Sequence, residues 1–383
     1  SRPPSPGNGP HRRRPRPLGR QTMPRPAALL ILAVAAVAVG DNADASSLLQ
    51  HTVSSTAEAG GKAPAPLRLE GHRLEPSPEQ ASHLDDSEIL KLQAATERLR
   101  ARGRRSAALA TFSSEFLSLA NNFACSWLAN AGSDAGLVLV ALDGRCEGLS
   151  GSFARAEVEC VAITSKVSPP SEAEHVKFKS PRYFFMTRMK LAVFSVWLDL
   201  VAVQEESKWL LLSDVDVVVN HDPFQYVNEN YPLQGSQNAP PILCAPNTPS
   251  CPPYHNKSKI NSGFCFYRAG ADASSLLRSA LAILVAGNSS DGADQGAIRE
   301  AMKRVSGRDS LATSAMLPCK RFPIGRFFRN PEAYEDPVAI HANYMATDQK
   351  EPCFRASGKW FVADAPGATC QAGGPRYTGG ACG

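Results

Sequence analysis

Residues 137–142 read Leu-Val-Leu-Val-Ala-Leu, a run that is apolar at every position and stops at Asp143. A strand with one wet face alternates apolar and polar residues, so a run without alternation must be covered on both sides. Val158–Ile163, Trp209–Val219, Gly263–Tyr267 and Val338–His341 are likewise mostly apolar on both faces, interrupted by few polar residues. Between them stand segments with helical period, Phe112–Leu128, Phe184–Val203, Ser274–Val285 and Ala293–Val305. Strands alternating with helices predict an α/β fold with a mostly parallel sheet and helices on both faces. The chain has 383 residues, 43% of them hydrophobic, which suffices for one large core. No internal repeat is visible.

The N-terminal part has a different texture. Residues 24–45 read as a secretory signal, with Arg25 in a basic flank, an apolar run Ala27–Val39, and Ala43-Asp44-Ala45 as a small-residue cleavage site before Ser46. The run is short for a membrane span, so cleavage is expected; an uncleaved signal-anchor would be the membrane contact otherwise. Met23 is the expected start, and residues 1–22 an upstream extension. Residues 46–106 are polar and Ala/Pro/Glu-rich, with helical periodicity over Asp86–Arg104, and read as a stem. The folded domain is expected over 107–383, ending in a Gly-rich tail with three Cys.

All ten Cys (125, 146, 160, 244, 251, 265, 319, 353, 370 and 382) follow the leader, without CxxC pairs. With a signal sequence this favours disulfides in an oxidising compartment over a zinc site. The acceptor sequons Asn256-Lys257-Ser258 and Asn288-Ser289-Ser290 agree with passage through the secretory pathway. The formal charge of +5 sits in the leader: residues 1–45 hold seven Arg and two Asp, which leaves 34 basic and 34 acidic residues in the remainder. A neutral body argues against nucleic acid as a partner, because phosphate recognition needs a basic face.

Chemistry concentrates where a strand ends in Asp214-Val215-Asp216. In an extended chain residues i and i+2 project to the same side, so the two carboxylates face one way. Two like charges at the end of a buried strand repel unless a cation sits between them. Hard oxygen ligands suit Mg²⁺ or Mn²⁺ holding a diphosphate, and in open α/β sheets ligands bind outside the carboxyl ends of the strands.

The same segment, followed by Asp222-Pro223-Phe224, resembles the nucleotide-diphospho-sugar transferases of glycosyltransferase family 77. Residues 137–146 are similar to the family's first strand and its acidic ending, and Lys190 lies in the helix before the acidic strand. Asn261-Ser262-Gly263-Phe264, the pair Asp294-Gln295, and His341-Ala342-Asn343-Tyr344 with Lys350 follow in the family's order, over about 110–360. One departure is the Ala346-Thr347 step, where the family often has Gly.

The resemblance implies a GT-A fold and a metal-dependent, retaining transfer from a nucleotide-diphosphate sugar, expected to be a UDP-sugar, to a hydroxyl of a glycan or glycoprotein. Asp214, Asp216 and His341 would hold Mn²⁺ or Mg²⁺. Lys350 would neutralise the diphosphate, Lys190 and Asn261 would bind donor, and Asp143 would lie near the nucleoside. Asp294 and Gln295 would line the sugar pocket, Asp294 as nucleophile or cation stabiliser. The expected location is the secretory pathway, foremost the Golgi lumen, with secretion the alternative if the signal is cleaved. Two rival readings are a haloacid-dehalogenase-like phosphatase, whose nucleophile loop Asp214-Val215-Asp216-Val217-Val218 also fits, and an inactive carbohydrate-binding relative.

Overall fold

The computed structural model describes the chain from residue 77, except for 150–152, 154–157, 165–178, 203–208, 238–259, 307–313, 335, 364–368, 372–381 and 383. The chain divides after Glu70, and all described residues belong to the second unit. The leader, the sequon at Asn256, Cys244 and Cys251 lie outside the described residues.

Helices α1 (Pro78–His83) and α2 (Asp86–Ala101) come first, each opened by a capping box, Ser77 with Gln80 and Asp85 with Glu88. Strand β1 (Ser106–Phe112) follows, then a 3₁₀ turn at Ser114–Phe116, α3 (Leu117–Asn130), β2 (Ala135–Ala141) and β3 (Val158–Ala162). The long helix α4 (Pro181–Ala202) leads into β4 (Trp209–Asp214) and β5 (Val217–Val219). Then come β6 (Leu233–Gln237), β7 (Ile260–Arg268), α5 (Ala271–Val285), α6 (Asp294–Ser306), β8 (Ser314–Met316), β9 (Ala339–His341) and α7 (Thr347–Ala356).

Seven strands form one sheet in the order β3-β2-β1-β4-β7-β6-β8, and β5 pairs with β9 apart from it. Strands β1 to β4 are mutually parallel, β6 and β8 are parallel, and β7 runs antiparallel to β4 and β6. The expected mostly parallel α/β fold is what the chain forms. Leu109, Val138, Val140, Leu210 and Leu212 face a core shared with α2, α4, α5 and α6. Ala108, Leu137, Leu139 and Leu211 face a second core built with α3, β5, β9 and α7. Two-sided burial is what runs without alternation require.

Three expectations need correction. Phe112 ends a strand rather than starting a helix, and β1 is flanked by β2 and β4 in the interior of the sheet. The run Trp209–Val219 is not one strand: it bends at Val215-Asp216, with β4 in the main sheet and β5 paired to β9. The segment read as a stem contributes to the core, since Leu84, Leu92 and Leu99 are buried there. Gln80 Nε2 donates to Ser195 Oγ (3.0 Å) and to the buried Asp199 Oδ2 (2.9 Å), which ties α1 to α4. Strands β6 and β8 had no counterpart in the sequence reading.

Candidate active site

The carboxyl ends of β1 and β4 and the start of β7 meet at one edge of the sheet, beside a cavity of about 710 Å³. Helix α4 turns one stripe toward it, Tyr183, Met186, Thr187 and Lys190, at the i, i+3, i+4, i+7 spacing of a helix face. The start of α6 supplies Asp294 and Gln295, and the loop from β9 to α7 supplies His341, Asn343, Tyr344 and Lys350.

At the bend between β4 and β5, Val215 packs into the apolar core while the flanking carboxylates line the cavity. Ligand atoms of Asp214, Asp216 and His341 lie within 4.8 Å of one another. His341 Nε2 is 3.2 Å from Asp216 Oδ1 and 3.6 Å from Asp214 Oδ2. The pairing of β5 with β9 sets this closeness: Val217 stands opposite His341, and Ala342 N donates to Asp216 O at 2.8 Å. Gly263 makes room from the other side, because a Cβ there would collide with both the Asp214 carboxylate and the His341 ring. Two carboxylates and an imidazole form a donor set that fits Mn²⁺ or Mg²⁺.

Two lysines neutralise the acids. Lys190 Nζ sits 2.6 Å from Asp214 Oδ1 and 2.8 Å from Asp294 Oδ2, and Lys350 Nζ sits 2.7 Å from Asp216 Oδ2. Burial works to lower the pKa of Lys190, but the carboxylates of Asp214 and Asp294 reverse this and raise it, so the ammonium stays charged. Burial works to raise the pKa of Asp216, yet Lys350 and His341 hold the carboxyl well below its usual range.

Asp294 does not cap α6. That task falls to Asp291, whose Oδ1 accepts from Ala293 N (3.0 Å) and Gly296 N (3.1 Å), which leaves the buried Asp294 to Lys190. Asn261 lines the cavity and also accepts the Gly263 N–H at 2.7 Å. Asp143 is not among the residues lining the cavity; its carboxylate accepts the Ser114 N–H at 2.7 Å and so holds the turn after β1 that carries Phe116.

Thr111, Phe112, Phe116, Tyr183 and Thr187 also line the cavity, and the sequence reading did not single them out. Burial and then the Asp294 carboxylate push the Tyr183 phenol upward, so it stays protonated. The α4 stripe was visible as helical spacing on either side of Lys190. The β1 residues required that strand to be found first.

The phosphatase reading loses its topological basis, because β1, β2 and β3 all precede the acidic pair. Sequence comparison with curated proteins finds no match. Among solved structures, an apo structure of the bifunctional glycosyltransferase WbbM is 12% identical, with a TM-score of 0.41 over 64% of this chain and 47% of that one. The glycosyltransferase GlyE of Streptococcus pneumoniae is 11% identical, with a TM-score of 0.37 over 63% of this chain and 55% of that one. The chain thus spans about half the length of the structures it matches. The family model of the nucleotide-diphospho-sugar transferases matches residues 135–352, more than half of the chain and a span that holds the acidic pair, His341 and both lysines, so the chain belongs to that family.

Proposed function

We propose that this protein moves a glycosyl unit from a UDP-sugar to a hydroxyl of a glycan or glycoprotein, with a divalent cation, Mn²⁺ best, and with retention at the anomeric carbon. The observation that carries the reading is the convergence of Asp214, Asp216 and His341 from distant parts of the chain onto one cavity edge. A bound cation would supply Lewis-acid stabilisation of the departing diphosphate.

The remaining work falls to the chain's own side chains. Lys350 Nζ, 2.7 Å from Asp216 Oδ2, is the cation proposed to meet a phosphate oxygen, where negative charge grows as the anomeric bond breaks. Lys190 fixes Asp214 and Asp294 relative to each other, so Asp294 presents a held negative charge to the developing oxocarbenium ion. With Lys190 on its oxygen, Asp294 is a weak nucleophile, which favours cation stabilisation and front-face attack. Gln295 and Asn261, which line the cavity, are the proposed partners of the sugar hydroxyls. The proposed setting is the Golgi lumen.

The test is a screen of nucleotide sugars with Mn²⁺, scoring nucleotide release with and without acceptor. We expect release from a UDP-sugar that EDTA abolishes and that Asp216→Asn lowers at least about a hundredfold in a folded protein. Full activity in EDTA would remove the metal from the mechanism, and a product of inverted linkage by NMR would remove retention.

A further inference from the structure

Leu90, Val285 and Tyr344 are the large apolar side chains left exposed among the described residues, and of these Tyr344 borders the cavity, 70% exposed. Its backbone is left-handed, φ 60°, a conformation that suits Gly or Asn far better than an aromatic residue. The chain on its N-terminal side is pinned. His341 N donates to Pro323 O at 3.0 Å, Ala342 N to Asp216 O at 2.8 Å, and Asn343 Oδ1 accepts the Gly325 N–H at 3.1 Å. Gly325 is packed so closely that a Cβ would strike the Asn343 carbonyl. Asn343 Nδ2 is buried with no partner among the described residues. Two unfavourable features therefore lie side by side in one tightly held turn, and the turn displays an aromatic ring to solvent. Strain retained in a well-determined setting is a pointer to function.

The place of the ring says what it meets. Tyr344 lies in the loop between His341 and Lys350 and lines the cavity with both, its exposed ring on the solvent side. Phe112 at the end of β1 and Phe116 in the 3₁₀ turn after it already give the cavity an apolar wall that would suit a nucleobase. A pyranose ring has a face of C–H bonds that is apolar and slightly positive, complementary to the negative face of an aromatic ring. Tyr gives this area at low entropic cost, having few torsions to fix.

We propose that the Tyr344 ring is the platform on which a pyranose ring of the acceptor stacks, so that the acceptor is a glycan or glycoside rather than a bare peptide hydroxyl. The proposal rests on reading the cavity as a glycosyl-transfer site. Tyr344→Gly removes the ring and relaxes the turn, whereas Tyr344→Phe keeps the ring, so the two variants separate stacking from folding.

The experiment is saturation-transfer NMR on the full chain with methyl β-galactopyranoside and methyl β-xylopyranoside as probes, beside calorimetric titration of UDP with Mn²⁺. Wild type and Tyr344→Phe should transfer saturation to the ring protons of at least one pyranoside. In Tyr344→Gly the apparent affinity should fall about tenfold or more, while UDP affinity moves by less than about twofold. A pyranoside affinity in Tyr344→Gly within about threefold of wild type, or no transfer in wild type, overturns the proposal. A tenfold loss of UDP affinity in Tyr344→Gly overturns it as well, assigning the ring to the nucleobase. No UDP binding in any of the three proteins would overturn the transfer-site reading itself, and the proposal with it, a result distinct from a loss of pyranoside alone.

Discussion

A methyl group at position 263 would collide with the Asp214 carboxylate on one side and the His341 ring on the other. Neither neighbour can give way cheaply, because Asp214 is tied to Lys190 and His341 stands in register with Val217. Gly263→Ala is therefore expected to lower metal-dependent nucleotide affinity at least about tenfold, with overpacking of about 1–3 kcal/mol in stability. Calorimetry of UDP with Mn²⁺ and a thermal melt read the two effects separately. Asp294 poses the complementary case. It meets Lys190 and the cavity, so Asp294→Ala should cut turnover about a hundredfold or more while leaving donor affinity within about threefold, because the charge it is proposed to stabilise exists only in the transition state. Unchanged turnover in Asp294→Ala would remove that residue from the site.

Elements show how much of this was legible. The acidic pair, Lys190, His341 and Lys350 could be placed from sequence, because a break in a long apolar run is conspicuous and the order of motifs does the rest. What the sequence hid was the bend at Val215-Asp216: Val217–Val219 is as apolar as β4, and nothing local says that it leaves the sheet to pair with Ala339–His341. Strand β1 was hidden for a different reason. Ser-Ala-Ala-Leu-Ala-Thr-Phe favours helix over strand by propensity, and the strand exists because β2 and β4 flank it. The packing of α1 was hidden too, since it depends on Asp199. That buried carboxylate accepts from Gln80 Nε2 and Ser274 Oγ and lies 3.6 Å from Arg278 Nη1. Asp199→Ala would strand these donors, costing about 2–3 kcal/mol. We expect the melting temperature to drop by about 3–5 °C with UDP affinity intact, since no member of this network lines the cavity.

At the scale of the whole molecule, cross-links and buried thiols bear on the compartment. Cys125–Cys370 closes a separation of 245 residues and holds the C-terminal segment to α3, Cys146–Cys160 joins the loop after β2 to β3, and Cys353–Cys382 ties the segment's end to α7, the helix that carries Lys350. Closing so long a loop removes much freedom from the unfolded chain, and such bonds persist where the surroundings are oxidising. The free thiols among the described residues, Cys265 and Cys319, are both buried. Burial pushes Cys265 up to about 12, with Lys190 opposing and Asp214 adding, so at neutral pH it is a thiol and not a thiolate. Among the described residues no helix is long and apolar enough to cross a membrane. Asn288 is exposed just past α5, its sequon open to a glycan. Protein made through the secretory pathway of a eukaryotic host should therefore resist alkylation at Cys265 and Cys319 while native and label at both after denaturation without reductant. It should also shift in mobility with endoglycosidase, by less in Asn288→Gln. A native protein that carries no glycan and whose six bridged cysteines alkylate freely would move the enzyme to a reducing compartment, and the lumenal assignment would fall with it.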